Sequence, residues 1–220
     1  MPPRAEAGPE EVELKLTVLD NAAIHALILD PSASLPEVTP IGGARTVNLA
    51  DRYLDTADGA LRAVGLVARI RTERDRRRLT VKSLVRRGGG AVHRRLELEG
   101  DAGDDDEPGA WPPSAARARI LQAIGTDPLR TLVTLGQRRL QRDVAIGVSV
   151  IELSLDEIEV ARSDGRRTRW VELEAELRSG AEADLDDLGG LLCRRPDLVP
   201  ATTSKLELAL AAVGHAFTQR

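Results

Sequence analysis

Residues 11–19 read EVELKLTVL. Glu11, Glu13 and Lys15 alternate with Val12, Leu14 and Leu16, the period of a β-strand. A helix would set Glu11 beside Lys15 one turn on. It would also scatter Val12, Leu14, Leu16 and Val18 around its cylinder, so the strand is the better reading. One face of that strand then carries two carboxylates and an ammonium, two residues apart.

The same oddity recurs along the chain. Arg69 and Arg71 oppose Leu66, Ala68 and Ile70, and Lys82 sits with Thr80 opposite Leu79 and Val81. Arg95, Glu97 and Glu99 oppose Leu96 and Leu98. Glu152, Ser154 and Asp156 oppose Ile151, Leu153 and Leu155, and Glu172, Glu174 and Glu176 oppose Val171, Leu173, Ala175 and Leu177. Two arrangements produce this pattern. In one, an open sheet packs on helices and turns its charged face to water, where each ion pair contributes about 0–1 kcal/mol. In the other, the sheet closes into a barrel with its apolar faces outward under helices and its charged faces lining a tunnel. A barrel of about eight strands has room for one small ligand. Buried charges of both signs suit a metal–phosphate complex: carboxylates take a hard divalent cation, and Arg and Lys take phosphate oxygens. Residues i and i+2 stand about 6.5 Å apart, so long Glu side chains can converge on one ion or on a close pair.

The totals narrow the class. The 220 residues carry a formal net charge of -4 and only 2% aromatic residues, which argues against a nucleic-acid binder that needs a basic surface or stacking platforms. The single cysteine, Cys193, excludes an intramolecular disulfide and fits a reducing, cytoplasmic setting; it is expected to be a small buried hydrophobe. No signal peptide or bilayer-spanning apolar run is evident, so no membrane partner is expected. His25, His93 and His215 are too dispersed to suggest a histidine metal site. No GxxxxGK[ST] phosphate loop occurs.

In chain order, a flexible tail (1–9) precedes the first strand. Asp20 caps the helix NAAIHALIL. Strands follow in ARTVNLADRYLDT, GLVARIRTE, RRRLTVKSLV and AVHRRLELEG, the third reached by a charged turn near Asp75 and the fourth after the glycine run Gly88–Gly90. Ser114 caps the helix SAARARILQAIG, which Gly125 ends. Three long strands, two helices and a short tail (215–220) complete the chain. This predicts one domain over 10–214, α+β in class, with seven or eight strands and helices outside.

The motifs resemble those of the CYTH proteins, the triphosphate tunnel metalloenzymes. EVELK resembles their ExExK signature, YLDT (53–56) their YxDT segment, and GLVARIR their GxxxRxR strand. LTVK carries Lys82, and RLELE (95–99) is similar to their RxExE strand. LSLDEIEV, WVELEAEL and the Ser204–Lys205 pair complete the order. The resemblance implies a closed antiparallel eight-stranded β-barrel with a charged interior. It implies Mg²⁺ or Mn²⁺ as cofactor, held by Glu11, Glu13, Asp156, Glu172 and Glu174. Lys15, Arg69, Arg71, Lys82, Arg95, Arg138 and Lys205 are implied as triphosphate clamps. Glu11, Glu13, Lys15, Asp156 and Glu174 are implied as catalytic, and Glu97, Glu99 and Arg142 as tunnel lining. The family arginine in GQRRLQR is assigned to Arg138, with Arg142 on the same face.

The implied activity is metal-dependent hydrolysis of a triphosphate, inorganic triphosphate being the simplest substrate because no base pocket is evident. Adenylate cyclase and thiamine triphosphatase are the alternatives within the family, and a non-catalytic triphosphate or polyphosphate sensor is the alternative outside catalysis. A monomer or homodimer is expected. Tyr53, Asp55, Glu176, Trp111 and Trp170 read as structural. The run RIRTERDRRR reads as a hairpin, and the acidic residues at 104–107 as a solvated loop.

Overall fold

The computed structural model describes residues 10–85, 92–104 and 106–214. The expected tails, His215 and the glycine run lie outside the described residues. Eight strands form one ring: β1 (Glu10–Val18), β2 (Thr39–Asp55), β3 (Leu66–Glu73), β4 (Arg76–Ser83), β5 (Val92–Asp101), β6 (Arg130–Ile146), β7 (Ser149–Ala161) and β8 (Arg167–Ser179). The spatial order is β5-β4-β3-β2-β6-β7-β8-β1, and β1 pairs back onto β5 to close the barrel. Every pairing in the ring is antiparallel. A short ninth strand, β9 (Leu198–Pro200), joins β1 from outside the ring. It was not anticipated, since three residues carry too little alternation to register.

The helices are α1 (Asn21–Leu29), α2 (Ala60–Ala63), α3 (Ala115–Ile124), α4 (Glu182–Cys193) and α5 (Lys205–Ala212). Asp20 accepts the backbone N–H groups of Ala22 and Ala23 at the start of α1, and Ser114 accepts that of Arg117 at the start of α3. Gly125 takes a positive φ at the end of α3, which glycine adopts without steric cost. The β3–β4 connection is a two-residue turn over Arg74 and Asp75, where Arg74 itself takes a positive φ.

Strand alternation decides what each face meets. The outward residues Leu14, Leu16, Ile151, Leu153, Leu155, Leu173 and Ala175 are buried against Ile24, Leu27 and Ile28 of α1 and Leu185, Leu188 and Leu192 of α4. On the far side of the ring, Ala68, Ile70, Leu79 and Val81 pack with Trp111 and with Ala116, Ile120 and Ile124 of α3. At one end the inward parity changes from charged to apolar: Tyr53, Val133, Leu135, Ile158 and Val160 meet Leu206, Ala209 and Leu210 of α5. Helix α5 thus packs over that end of the barrel, and its first residue points back into the charged interior. Cys193 is exposed at the end of α4, not buried as its residue type suggested; Leu192 faces the core in its place.

Candidate functional site: a charged tunnel

The inward faces enclose a cavity of about 1280 Å³. Its lining includes Glu11, Glu13 and Lys15 of β1, Arg69 and Arg71 of β3, Lys82 of β4, Arg95, Glu97 and Glu99 of β5, Glu174 and Glu176 of β8, and Lys205 of α5. Residues distant in sequence meet here because register aligns them: Glu11 pairs with Arg95, and Lys15 with Glu174.

The two charge signs satisfy each other. Lys15 Nζ lies 2.8 Å from Glu174, and Lys82 Nζ lies 2.6 Å from Glu11 and 2.8 Å from Glu97. Arg95 donates from Nε to Glu11 at 3.1 Å and from Nη2 to Glu13 at 2.7 Å. Lys205 reaches Asp156 at 2.5 Å and Glu174 at 3.0 Å. Asp156 and Glu172 are fully buried behind the cavity lining and not part of it, adjacent in register on β7 and β8. Glu172 accepts from the Trp170 indole at 2.9 Å, so that tryptophan orients a carboxylate as well as packing. Asp55 accepts the backbone N–H groups of Thr56, Leu61 and Arg62, which ties the end of β2 to α2.

Burial opposes ionisation of these groups, and neighbours decide the outcome. Burial lowers the affinity of the Lys15 ammonium for its proton, yet Glu13, Glu174 and Glu172 outweigh it and raise the pKa. Lys205 behaves likewise through Asp156, Glu174 and Glu172. Burial pushes Glu174 up, but Lys15, Lys205 and Arg139 hold it well below the usual carboxylate range. Burial, helped by the charge of Glu174, leaves Glu172 raised despite Lys205 and Lys15. Glu176 is pushed up to about 7 by burial, with Glu11 and Glu97 adding to the shift against the pull of Arg178.

Two expected positions lie elsewhere. Arg138 is on the outer wall, 3.2 Å from Glu157, and Arg142 also faces outward, donating to the backbone carbonyls of Leu29 and Gly42. Adjacent arginines in GQRRLQR make the strand's parity ambiguous, and only pairing with β7 resolves it. Arg139 stands opposite Asp156 and grips it with two bonds of 2.7 and 2.6 Å, with a third of 2.7 Å to Glu174. Arg139 is therefore the β6 arginine of the interior, with Gln137 and Gln141 on the same parity.

Sequence reading also missed Asp51, which lies behind Arg69 and Arg71, and a cluster around Glu152. The Glu152 carboxylate accepts from Gln141 at 2.9 Å and Ser154 at 3.2 Å, and pairs with Arg178 at 2.8 Å and Arg45 at 3.4 Å. The alternation of β2 and β8 was the available signal for Asp51 and Arg178, but the partner of each depends on register. The acidic loop is structural: Asp106 pairs with Arg52 at 2.7 Å and Arg77 at 2.5 Å.

The donor chemistry fits a divalent cation. Glu11, Glu13, Glu172 and Glu174 offer only hard oxygen, and Glu172 Oε2 is buried with no hydrogen-bond partner. Among the described residues no three acidic, histidine or cysteine side chains already stand in a metal-holding geometry. Ion pairs occupy the carboxylates instead, so side chains must turn for a cation to enter.

Known structures share this architecture. A Hippeastrum protein named as a candidate adenylyl cyclase superposes with a TM-score of 0.65 at 21% identity, over 96% of this chain and 99% of that one. A Bacillus halodurans protein named in the same way gives 0.56 at 16%, over 90% and 97%. A Pyrococcus horikoshii protein gives 0.53 at 16%, over 90% and 98%. No curated relative matches the chain. The CYTH domain model matches residues 9–207, all eight ring strands together with the first residues of α5, and the chain belongs to the CYTH family.

Proposed function

We propose that this protein is a divalent-metal-dependent triphosphatase whose substrate is inorganic triphosphate. The observation that carries the reading is the convergence of Lys15, Arg69, Arg71, Lys82, Arg95 and Lys205 with Glu11, Glu13 and Glu174 around one cavity. The Hippeastrum protein is described as having a dominant triphosphatase activity, which supports the same class.

In this reading the basic side chains hold the phosphate oxygens, and Arg139 joins them from the floor. Their charge offsets that of the transferring phosphoryl group. Glu11, Glu13 and Glu174 at the cavity wall, with Glu172 and Asp156 buried behind them, would hold Mg²⁺ or Mn²⁺, which would supply neutralisation of the phosphate oxygens. Glu174, kept ionised by its cationic neighbours, accepts a hydrogen bond from the attacking water and orients it. Water adds to the terminal phosphorus, the bond to the bridging oxygen breaks, and its electron pair leaves with diphosphate. Orthophosphate is the other product. The protein acts in the cytoplasm, as monomer or homodimer, with small triphosphates and polyphosphate as partners and neither nucleic acid nor membrane. The single cysteine is consistent with that compartment.

The cavity of about 1280 Å³ also has room for a group attached to the triphosphate, which supports a second reading: hydrolysis of thiamine triphosphate, or cyclisation of ATP. Phosphate and nucleotide products should be measured with inorganic triphosphate, thiamine triphosphate and ATP, each with Mg²⁺ or Mn²⁺. Orthophosphate from inorganic triphosphate at the highest kcat/KM is expected. Cyclic nucleotide with diphosphate would establish the cyclase, and tight binding without any product would establish a sensor. Full turnover in Glu174→Ala would overturn the role assigned to that carboxylate.

A further inference from the structure

Arg69 and Arg71 look out into the cavity from β3, and one residue stands behind both. Asp51 of β2 lies opposite Arg71 in register, with its neighbour pair placing Tyr53 opposite Arg69. Its side chain is fully buried, whereas those of Arg69 and Arg71 are 14% and 15% exposed. Asp51 is absent from the cavity lining that contains both arginines. It therefore meets a tunnel ligand only through them.

The contacts are directional. Arg71 donates to Asp51 from Nε at 2.7 Å and from Nη2 at 2.7 Å, a two-pronged grip that fixes the plane of the guanidinium. Arg69 donates from Nη1 to Asp51 at 3.4 Å and from Nη2 to Thr80 at 3.4 Å. Arg71 lines the cavity, and its Nη1 takes no part in the grip on Asp51; Arg69 Nε is a buried donor with no hydrogen-bond partner. Two cations on adjacent same-face positions repel each other. A carboxylate shared between them removes that repulsion and sets both planes before any ligand arrives.

We infer that Asp51 is the positioning residue of the Arg69–Arg71 clamp, holding both guanidiniums in place so that their remaining N–H groups form a preorganised subsite for an anionic phosphate oxygen. The inference rests on the triphosphatase reading for the identity of the ligand, but the arrangement can be tested without turnover.

In the ligand-free protein, the Arg71 Nε–H resonance should be sharp and slow to exchange, and in Asp51→Asn it should shift and broaden. With inorganic triphosphate, Asp51→Asn should raise KM about tenfold and leave kcat within about threefold, the signature of lost ground-state binding. Equilibrium binding of inorganic triphosphate should weaken by the same factor. Combining Asp51→Asn with Arg71→Ala should cost less affinity than the sum of the two separate losses, because part of what the carboxylate does passes through Arg71 and the rest through Arg69. A merely structural role predicts lowered stability with triphosphate affinity unchanged, or losses that simply add in that cycle, and either result overturns the inference. If Asp51→Asn does not fold, Asp51→Glu, which keeps the charge and displaces it by one methylene, carries the same comparison. Wild-type protein that binds no triphosphate would overturn the functional reading together with this one. Wild-type binding matched by the variant would overturn this one alone.

Discussion

Lys15 of β1 and Glu174 of β8 stand directly opposite each other in register, with Nζ 2.8 Å from the carboxylate. One is a proposed anion clamp and the other a proposed metal ligand, and each is the other's partner. Lys82 with Glu11, and Lys205 with Glu174, repeat the arrangement.

This mutual occupancy predicts that cation and anion bind together. A divalent ion alone must strip carboxylates from buried ammonium groups, and a triphosphate alone must strip ammonium groups from buried carboxylates; each separation leaves an uncompensated charge. Titration calorimetry with Mn²⁺ should show affinity at least about tenfold higher when inorganic triphosphate is present, and the reverse titration must show the same factor. Equal Mn²⁺ affinity with and without the anion would refute the coupling.

Neighbouring arginines on β6 should differ sharply. Arg139 is buried between Asp156 and Glu174, so Arg139→Gln leaves buried carboxylates short of a partner and should cost about 3–5 kcal/mol of stability together with most activity. Arg138 pairs with Glu157 on the outer wall, and Arg138→Gln should cost at most about 1 kcal/mol. Denaturant midpoints and phosphate release for the two variants check both statements.

Acid should weaken the Asp51 contribution. Burial pushes this carboxyl up, but Arg69 and Arg71 outweigh it, so its folded pKa lies below the unfolded one. A depressed folded pKa adds stability above the unfolded value, about 3.9, and loses it as pH falls toward the folded value. The stability gap between wild type and Asp51→Asn should therefore be widest near neutrality and shrink below about pH 4. A gap independent of pH would mean that the charge of Asp51 does not matter.

Gly180 marks a point where the backbone leaves no room. Its φ is +105°, and a Cβ there would lie 2.2 Å from Ser149 Oγ. Ser149 also accepts the Ala181 N–H at 2.8 Å and donates to Asp184 at 2.6 Å, tying β7 to the start of α4. Gly180→Ala should destabilise by about 1–3 kcal/mol, read from the thermal midpoint.

Much of the fold was legible because alternation is a local property. Each of the eight ring strands overlaps a stretch read from its own residues, and Asp20 and Ser114 cap the helices expected of them. The placement of the site was legible wherever a charged residue had apolar neighbours on both sides, as Glu13 does, or an apolar run leading into it, as Lys82 does. It failed at Arg138 and Arg139, where two identical residues in succession carry no parity. It was blind to Asp51 and Glu152 as partners, because which strand lies beside which is a property of the closed ring and not of any segment. The exposed Cys193 illustrates the same limit: residue type gives a tendency, and the helix's rotation gives the answer.

The seam of the ring has a consequence for how the protein is made. Strand β1 must wait for β8, which begins about 150 residues later at Arg167, before its second edge is covered. Such long-range pairing is slow to form and leaves a strand edge open during synthesis. Because that strand carries Glu11, Glu13 and Lys15, a half-assembled chain lacks part of the cavity wall, and on the proposed triphosphatase reading regained phosphate release after dilution from denaturant would report completion of the last pairing, not merely collapse.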